Sequence, residues 1–152
     1  MKKVFVSGGF GILHAAHIKF FEEAKKHGDW LIVSFACDEE MMKFKKRRPA
    51  LPESHRRHIL ESLRIVDEVV MGSISDKNPE NPTFDFEEEF KRLKPDLLIS
   101  TTDDPLAEQK SNFAKMNGSN YLQIPRVIFI EPFSTTKIRE NVIEDYKRTI
   151  KD

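Results

Sequence analysis

Five short apolar runs, each followed by a longer stretch of helical period, constrain this chain more than any single motif does. The runs at residues 3–6, 30–35, 69–71, 97–100 and 127–130 read as strands, and several are unbroken rather than alternating. A strand that is apolar at every position has both faces covered, the condition of a parallel sheet between two helical layers. Residues 14–27, 52–66, 84–93, 105–117 and 134–150 read as those helices. In the first, Ile18, Phe21 and Lys25 alternate with Leu13, Phe20 and Ala24, enough for an apolar stripe. Strand alternating with helix predicts an α/β fold, a doubly wound parallel sheet of about five strands with right-handed crossovers. A ligand is then expected beyond the carboxyl ends of the strands, where the strand order switches.

The totals narrow the function. At 152 residues the chain is most economically one domain spanning 1–152. Its 25 basic and 25 acidic side chains cancel, so there is no electrostatic footprint for nucleic acid or an anionic membrane. The single cysteine, Cys37, excludes an internal disulfide framework and suits a reducing compartment. The opening MKKVFVSGGF has too few apolar residues before its glycines for a signal peptide or a membrane span. A soluble, cytoplasmic protein is expected. Residues 73–82, SISDKNPENP, read as a loop within the fold. The basic run KFKKRR, residues 43–48, reads as a solvated surface unless its context says otherwise.

The first strand runs into VSGGFGILHAAH, residues 6–17. Glycines in that position let backbone N–H groups approach phosphate oxygens, and Gly8, Gly9 and Phe10 are the candidates. Two familiar forms fail. There is no GxxxxGK[ST], and GxGxxG fits Gly9 and Gly11 but meets His14 at its third position. His14 and His17 are three apart and share a helix face in the first turn, where the macrodipole favours anions. Imidazoles there can donate to phosphate, and their charged form would gain as negative charge builds; a plain surface pair is the alternative. Zinc is disfavoured, because HxxH lacks the spacing of HExxH and no third ligand is evident.

With these residues on the page, the chain resembles the cytidylyltransferase-like nucleotidyltransferases, whose hallmark is GxFDxxHxGH. GGFGILHAAH matches their first loop, and GDWLIVSFACDEE resembles their second strand and its acidic end. RPALPESHRRHILESLRIVDEVV looks like RPxxPxxxR…VD-V, LKPDLLI with Asp103 and Asp104 like the fourth strand and its exit, and STTKI like the last motif. These segments follow family order from Val4 to Glu140. The nearest likeness is to glycerol-3-phosphate cytidylyltransferases and the heptose-1-phosphate adenylyltransferase domain. Two positions depart from the pattern: Gly11 stands for the family's Asp, and Ala16 for the Gly of HxGH. The FIEPF lead-in to STTKI resembles the heptose-phosphate branch, which leaves CTP and ATP both open.

The resemblance implies a Rossmann-like domain that moves CMP or AMP from CTP or ATP, with Mg2+, to a phosphorylated sugar or polyol, releasing pyrophosphate. It implies His14 and His17 as the catalytic pair bridging the triphosphate. A lysine after the second strand joins them, Lys45 or Lys46, with Lys45 favoured. Arg56, which ends RPxxPxxxR, is implied as a bidentate phosphate contact. Ser134, Thr135 and Thr136 open the last helix, where N-capping and phosphate binding are compatible. Asp38 is a candidate for the acceptor's hydroxyls or a helix start, and Asp104 for nucleotide or metal or a plain turn. A homodimer is also implied. Within the fold the alternative is an FMN adenylyltransferase, which archaeal members resemble through RPxxPxxxR and LKPD. Outside it stand a catalytically decayed nucleotide-binding protein and, more remotely, a dehydrogenase-type binding module.

Overall fold

The computed structural model describes residues 1–46, 48–76, 80, 82–126 and 134–151. Five parallel strands form one sheet: β1 (Lys3–Gly8), β2 (Trp30–Phe35), β3 (Glu68–Met71), β4 (Leu97–Thr101) and β5 (Asn120–Ile124), in the order β3-β2-β1-β4-β5. The helices are α1 (Ala15–Lys25), α2 (Asp38–Lys45), α3 (Glu53–Glu61), α4 (Glu87–Leu93), α5 (Ala107–Met116) and α6 (Thr135–Thr149). β1 lies between β2 and β4, with Val6 opposite Val33 and Val4 opposite Leu97.

The unbroken runs have the cause inferred for them. Val4 and Val6 face one layer with Phe21 and Ala24 of α1 and Leu60 of α3. Phe5, between them, faces the other layer with Phe90 of α4 and Ala114 of α5. Successive side chains of a strand point to opposite faces, so a strand between two helical layers is apolar throughout.

Two elements differ from expectation. The fifth described strand is β5, and the stretch expected to form it, residues 127–130, lies outside the described residues. Among the described residues NYLQI pairs on one side only, and its first four residues are exposed or half-buried, which hid it from an apolar pattern. The second is α2, DEEMMKFK, for which no helix was expected. Its first three residues are acidic and suit the positive end of a helix dipole, while Cys37 Sγ accepts from the Glu40 amide.

From β1 the chain builds outward to β2 and β3, then crosses to β4 and β5 on the other side. The switch point therefore lies beyond the carboxyl ends of β1 and β4, under the loop that carries Gly8, Gly9 and the histidines. Among the described residues, no helix is long and apolar enough to cross a membrane.

Candidate active site

The loop after β1 is compressed. A Cβ on Gly8 would lie 2.7 Å from the Phe10 ring, and one on Gly9 would lie 2.8 Å from Met41 Sδ. Phe10 itself takes a left-handed backbone, φ 52°, so that its ring folds back over Gly8. That ring meets Phe21 edge-on at 5.3 Å and His17 edge-on at 5.2 Å, tying the loop to α1.

His14 is the N-cap of α1, and its Nδ1 accepts from the Ala16 amide at 3.3 Å. His17 reaches back, its Nδ1 accepting from the His14 amide at 3.3 Å. The two rings lie 3.9 Å apart and 35° from parallel. This is a capping box built from imidazoles where a hydroxyl and a carboxamide or carboxylate are usual. It also fixes the tautomer: with each Nδ1 accepting, the neutral ring carries its proton on Nε2. Burial lowers the His17 pKa to about 4, helped by the neighbouring His14 and by the charges of Arg126 and Lys45. Burial and Arg126 lower His14 as well. At neutral pH His17 is therefore an uncharged donor, and His14 is biased the same way.

Lys45 ends α2 and lines the same cavity as Gly8 and Gly9, while Lys46 follows in a left-handed C-cap, φ 52°. Lys45 is the lysine whose charge acts on His17.

Arg56 departs from its expected role. Its side chain is wholly buried, and all three of its nitrogens donate within the protein. Nε binds Leu51 O at 2.9 Å, Nη1 binds Gly9 O at 2.8 Å and Ala36 O, and Nη2 binds Asp38 Oδ1 at 2.7 Å. The guanidinium lies 5.4 Å from the Phe35 ring centroid. It braces the glycine loop, the exit of β2, the start of α2 and the RPALP segment rather than presenting to a ligand. Asp38, at the start of α2, holds the other end of that brace.

Asp104 is also internally engaged. It accepts from the Leu106 amide at 2.9 Å and from Lys110 Nζ at 2.6 Å, which is the turn reading of this residue. Burial pushes its carboxyl up, but these hydrogen bonds and the Lys110 charge leave it below its ordinary value. Ser134 Oγ accepts from the Lys137 amide at 3.0 Å and caps α6, whose first turn holds Thr135 and Thr136. No described hydrogen bond or ring contact joins these three residues to the histidine pair, and α6 buries none of its residues.

Gly11 and Ala16 mark the departures from the family pattern. A Cβ at Gly11 would stand 3.3 Å from Met41 Cε, the end of a flexible side chain, and the backbone there is not left-handed. A Cβ at this position therefore needs only a small shift of Met41.

Sequence reasoning missed the polar and aromatic wall beside the loop. A cavity of about 250 Å³ opens against Gly8 and Gly9, lined by Met41 and Phe44 of α2, by Phe84 and Asp85 before α4, and by Lys110 of α5. Residues 84–93 were read as a helix; an acid between two aromatics, after the loop that follows β3, was the available signal. Burial pushes Asp85 up to about 6, Glu40 adds to the rise and Lys110 opposes it. A larger cavity of about 500 Å³, over the ends of β2 and β3, is lined by Asp38, Glu39, Glu53, Glu88 and Glu89, a wall that repels phosphate. Among the described residues no group of three or more His, Cys, Asp or Glu is placed to hold a metal ion.

Comparison with known proteins follows the same lines. The family described as cytidylyltransferase-like matches residues 5–141. A Pyrococcus horikoshii protein named FAD synthase is 35% identical over 145 residues, covering 93% of both chains. A Ferroglobus placidus protein of the same name is 37% identical over 112 residues, which is 72% of this chain and 64% of its own length. The crystal structure of the lipopolysaccharide core biosynthesis protein from Thermoplasma volcanium matches with a TM-score of 0.67 and 27% identity. That match covers 84% of this chain and 98% of the other.

Proposed function

This chain belongs to the cytidylyltransferase-like family, and from that premise we propose that it transfers the adenylyl group of ATP to FMN, forming FAD and pyrophosphate. The observation that carries the reading is the set of relatives named FAD synthase, among them archaeal proteins at 35% and 37% identity. They favour FMN and ATP over the sugar or polyol phosphate that the sequence resemblance put first. The aromatic lining of the cavity beside Gly8 and Gly9 supports the same choice.

In this reaction the terminal phosphate oxygen of FMN attacks the α-phosphorus of ATP. One P–O bond forms, the bond to the bridging oxygen of the pyrophosphate breaks, and its electrons leave with the pyrophosphate. Such transfer needs in-line positioning and charge neutralisation rather than covalent help. In this proposal the Nε2–H groups of His14 and His17 donate to the triphosphate, beside the N-terminal amides of α1. Lys45 adds the positive charge that two neutral rings lack, and Arg56 with Asp38 keeps the loop in place. Ser134, Thr135 and Thr136 supply further amides and hydroxyls from the start of α6. Bound together with the nucleotide, Mg2+ would supply charge neutralisation. Homodimeric assembly and a cytoplasmic setting, implied by the resemblance and the composition, complete the proposal.

The test is pyrophosphate release from four pairings: ATP or CTP with FMN or glycerol 3-phosphate. Turnover is expected with ATP and FMN and not with CTP and glycerol 3-phosphate. The reverse preference would restore the polyol-phosphate reading, and binding of a nucleotide without any turnover would favour a decayed enzyme.

A further inference from the structure

We propose that the cavity beside Gly8 and Gly9 seats the isoalloxazine ring of the acceptor, stacked on Phe44 and Phe84, with Asp85 and Lys110 meeting the polar edge of the ring. The inference rests on the flavin reading above and adds where that substrate lies and which residues select it.

Position is the first argument. The histidines stand at the start of α1, on the sheet face that packs Phe21 and Leu60. The cavity is walled from the other side, by the approach to α4 and by α5, whose Phe90 and Ala114 pack on the opposite face. In phosphoryl transfer the attacking and leaving oxygens lie roughly in line across the phosphorus. With the pyrophosphate held at His14 and His17, the acceptor must approach from the cavity side of the glycines.

Shape is the second. At about 250 Å³ the cavity lies just below the ~300–1,000 Å³ usual for whole drug-sized ligands. It has room for a ring system, leaving the phosphate tail outside over Gly8 and Gly9. Phe84 is stacked on Phe86 at 4.9 Å and 10°, and Phe113 abuts both edge-on at 5.5 and 5.7 Å. The platform is thus held from behind by buried Phe86, with its orientation fixed before a ligand arrives. The stacked rings give the wall a flat apolar face that suits a ring system better than a polyol chain.

Chemistry is the third. Isoalloxazine carries an imide N–H flanked by two carbonyls at one edge, which calls for an acceptor and a donor side by side. Asp85 offers a carboxylate on this wall, and Lys110, which already donates to Asp104, offers its remaining ammonium protons. Glu40, the other acid there, is engaged by the Ser75 amide and hydroxyl at 2.9 and 2.6 Å. Burial and the neighbouring Glu40 work against the ionisation of Asp85.

The experiment titrates the full-length protein with lumiflavin, the ring without ribityl phosphate, and measures KM for FMN and for ATP separately. It uses the wild type, Phe44→Ala, Phe84→Ala and Asp85→Asn. Stacking losses of the size seen when aromatics are removed from base-binding platforms give about 10- to 100-fold weaker lumiflavin binding in the two alanine variants. KM for FMN is expected to rise in parallel while KM for ATP stays put. Phe84 also packs internally, so the half-buried Phe44 keeps the test valid if Phe84→Ala folds poorly. A rise in KM for ATP alone would place the nucleobase in this cavity and overturn the proposal, as would unchanged lumiflavin binding in Phe44→Ala. Should the wild type make no FAD, lumiflavin binding that is lost in Phe44→Ala still supports a flavin-ring site. Failure of the wild type to bind lumiflavin overturns it.

Discussion

Two helix N-termini are offered as phosphate sites in this protein, and they are built very differently. α6 begins with Ser134, an ordinary capping residue, on a helix that buries none of its side chains. α1 begins with His14, which is not among the residues usually chosen to cap, and is closed by a second imidazole at His17. Serine at position 134 is explained by local hydrogen bonding alone. Histidine at position 14 is not, because Ser, Asp or Asn would cap as well without burying a ring. The imidazole's surplus over a hydroxyl is the Nε2–H on its far side, and that is the group a phosphate needs. The loop that carries it is locked as well, by Arg56 from below and by Phe10 from above. Both starts carry a local cap, and that of α1 is also held by long-range packing.

The largest expected effect comes from removing the lock. Arg56→Ala would leave the Gly9, Ala36 and Leu51 carbonyls and the Asp38 carboxylate without their shared donor. Breaking a buried, fully engaged charge typically costs about 3–5 kcal/mol, or roughly 10 °C in Tm for a chain of this size. Thermal unfolding checks it, and turnover is expected to collapse in parallel. Arg56→Lys should recover only part of both, since an ammonium cannot span these acceptors.

Next come the histidines, where stability and rate should part. His14→Asn keeps a capping side chain but loses the Nε2–H, so Tm should hold while kcat falls about 100- to 1,000-fold. His17→Ala should show the same loss. Equal falls in Tm and kcat for His14→Asn would make the pair structural and erase the contrast with Ser134.

Asp85→Asn has a smaller effect, and on stability its sign is opposite. The folded carboxyl titrates near 6 against an ordinary value of 3.8, so its ionisation opposes folding. The wild type has its full stability contribution from this group below pH 3.8 and loses it as pH rises through 6. The variant should therefore be more stable at pH 7.5, by about 3 kcal/mol on the scale of 1.36 kcal/mol per pKa unit. The gain should fade towards pH 4. Denaturant unfolding at the two pH values measures it.

The smallest effect belongs to the second helix start. Ser134→Ala should cost about 1 kcal/mol of helix stability or less, read as faster amide exchange in the first turn of α6. A larger loss of global stability would mean that α6 is anchored as firmly as α1.

Much of this was legible in sequence. The unbroken runs at β1, β2 and β4 gave the two-sided parallel sheet, and glycines followed by histidines marked the switch point. Arg56 was marked as important and expected on phosphate, because three of its four acceptors are the backbone carbonyls of Gly9, Ala36 and Leu51, which no side-chain pattern records. α2 was hidden because five of its eight residues are charged and only Glu40 and Met41 are buried. The Phe84–Asp85 wall was absorbed into a helix whose observed start is Glu87. Its role depends on what the fold brings opposite: the glycine loop, Phe44 and Lys110.

The central claim is that the α1 site is set before any ligand arrives, as two neutral rings donating from Nε2. Nitrogen chemical shifts of the labelled histidines, followed from pH 8 to pH 3.5 in the free protein, test it directly. The account expects His17 to titrate near 4, His14 below the ordinary imidazole value, and both to carry the proton on Nε2 at neutral pH. A His17 that titrates at or above 6.5, or a neutral ring protonated on Nδ1, would contradict it.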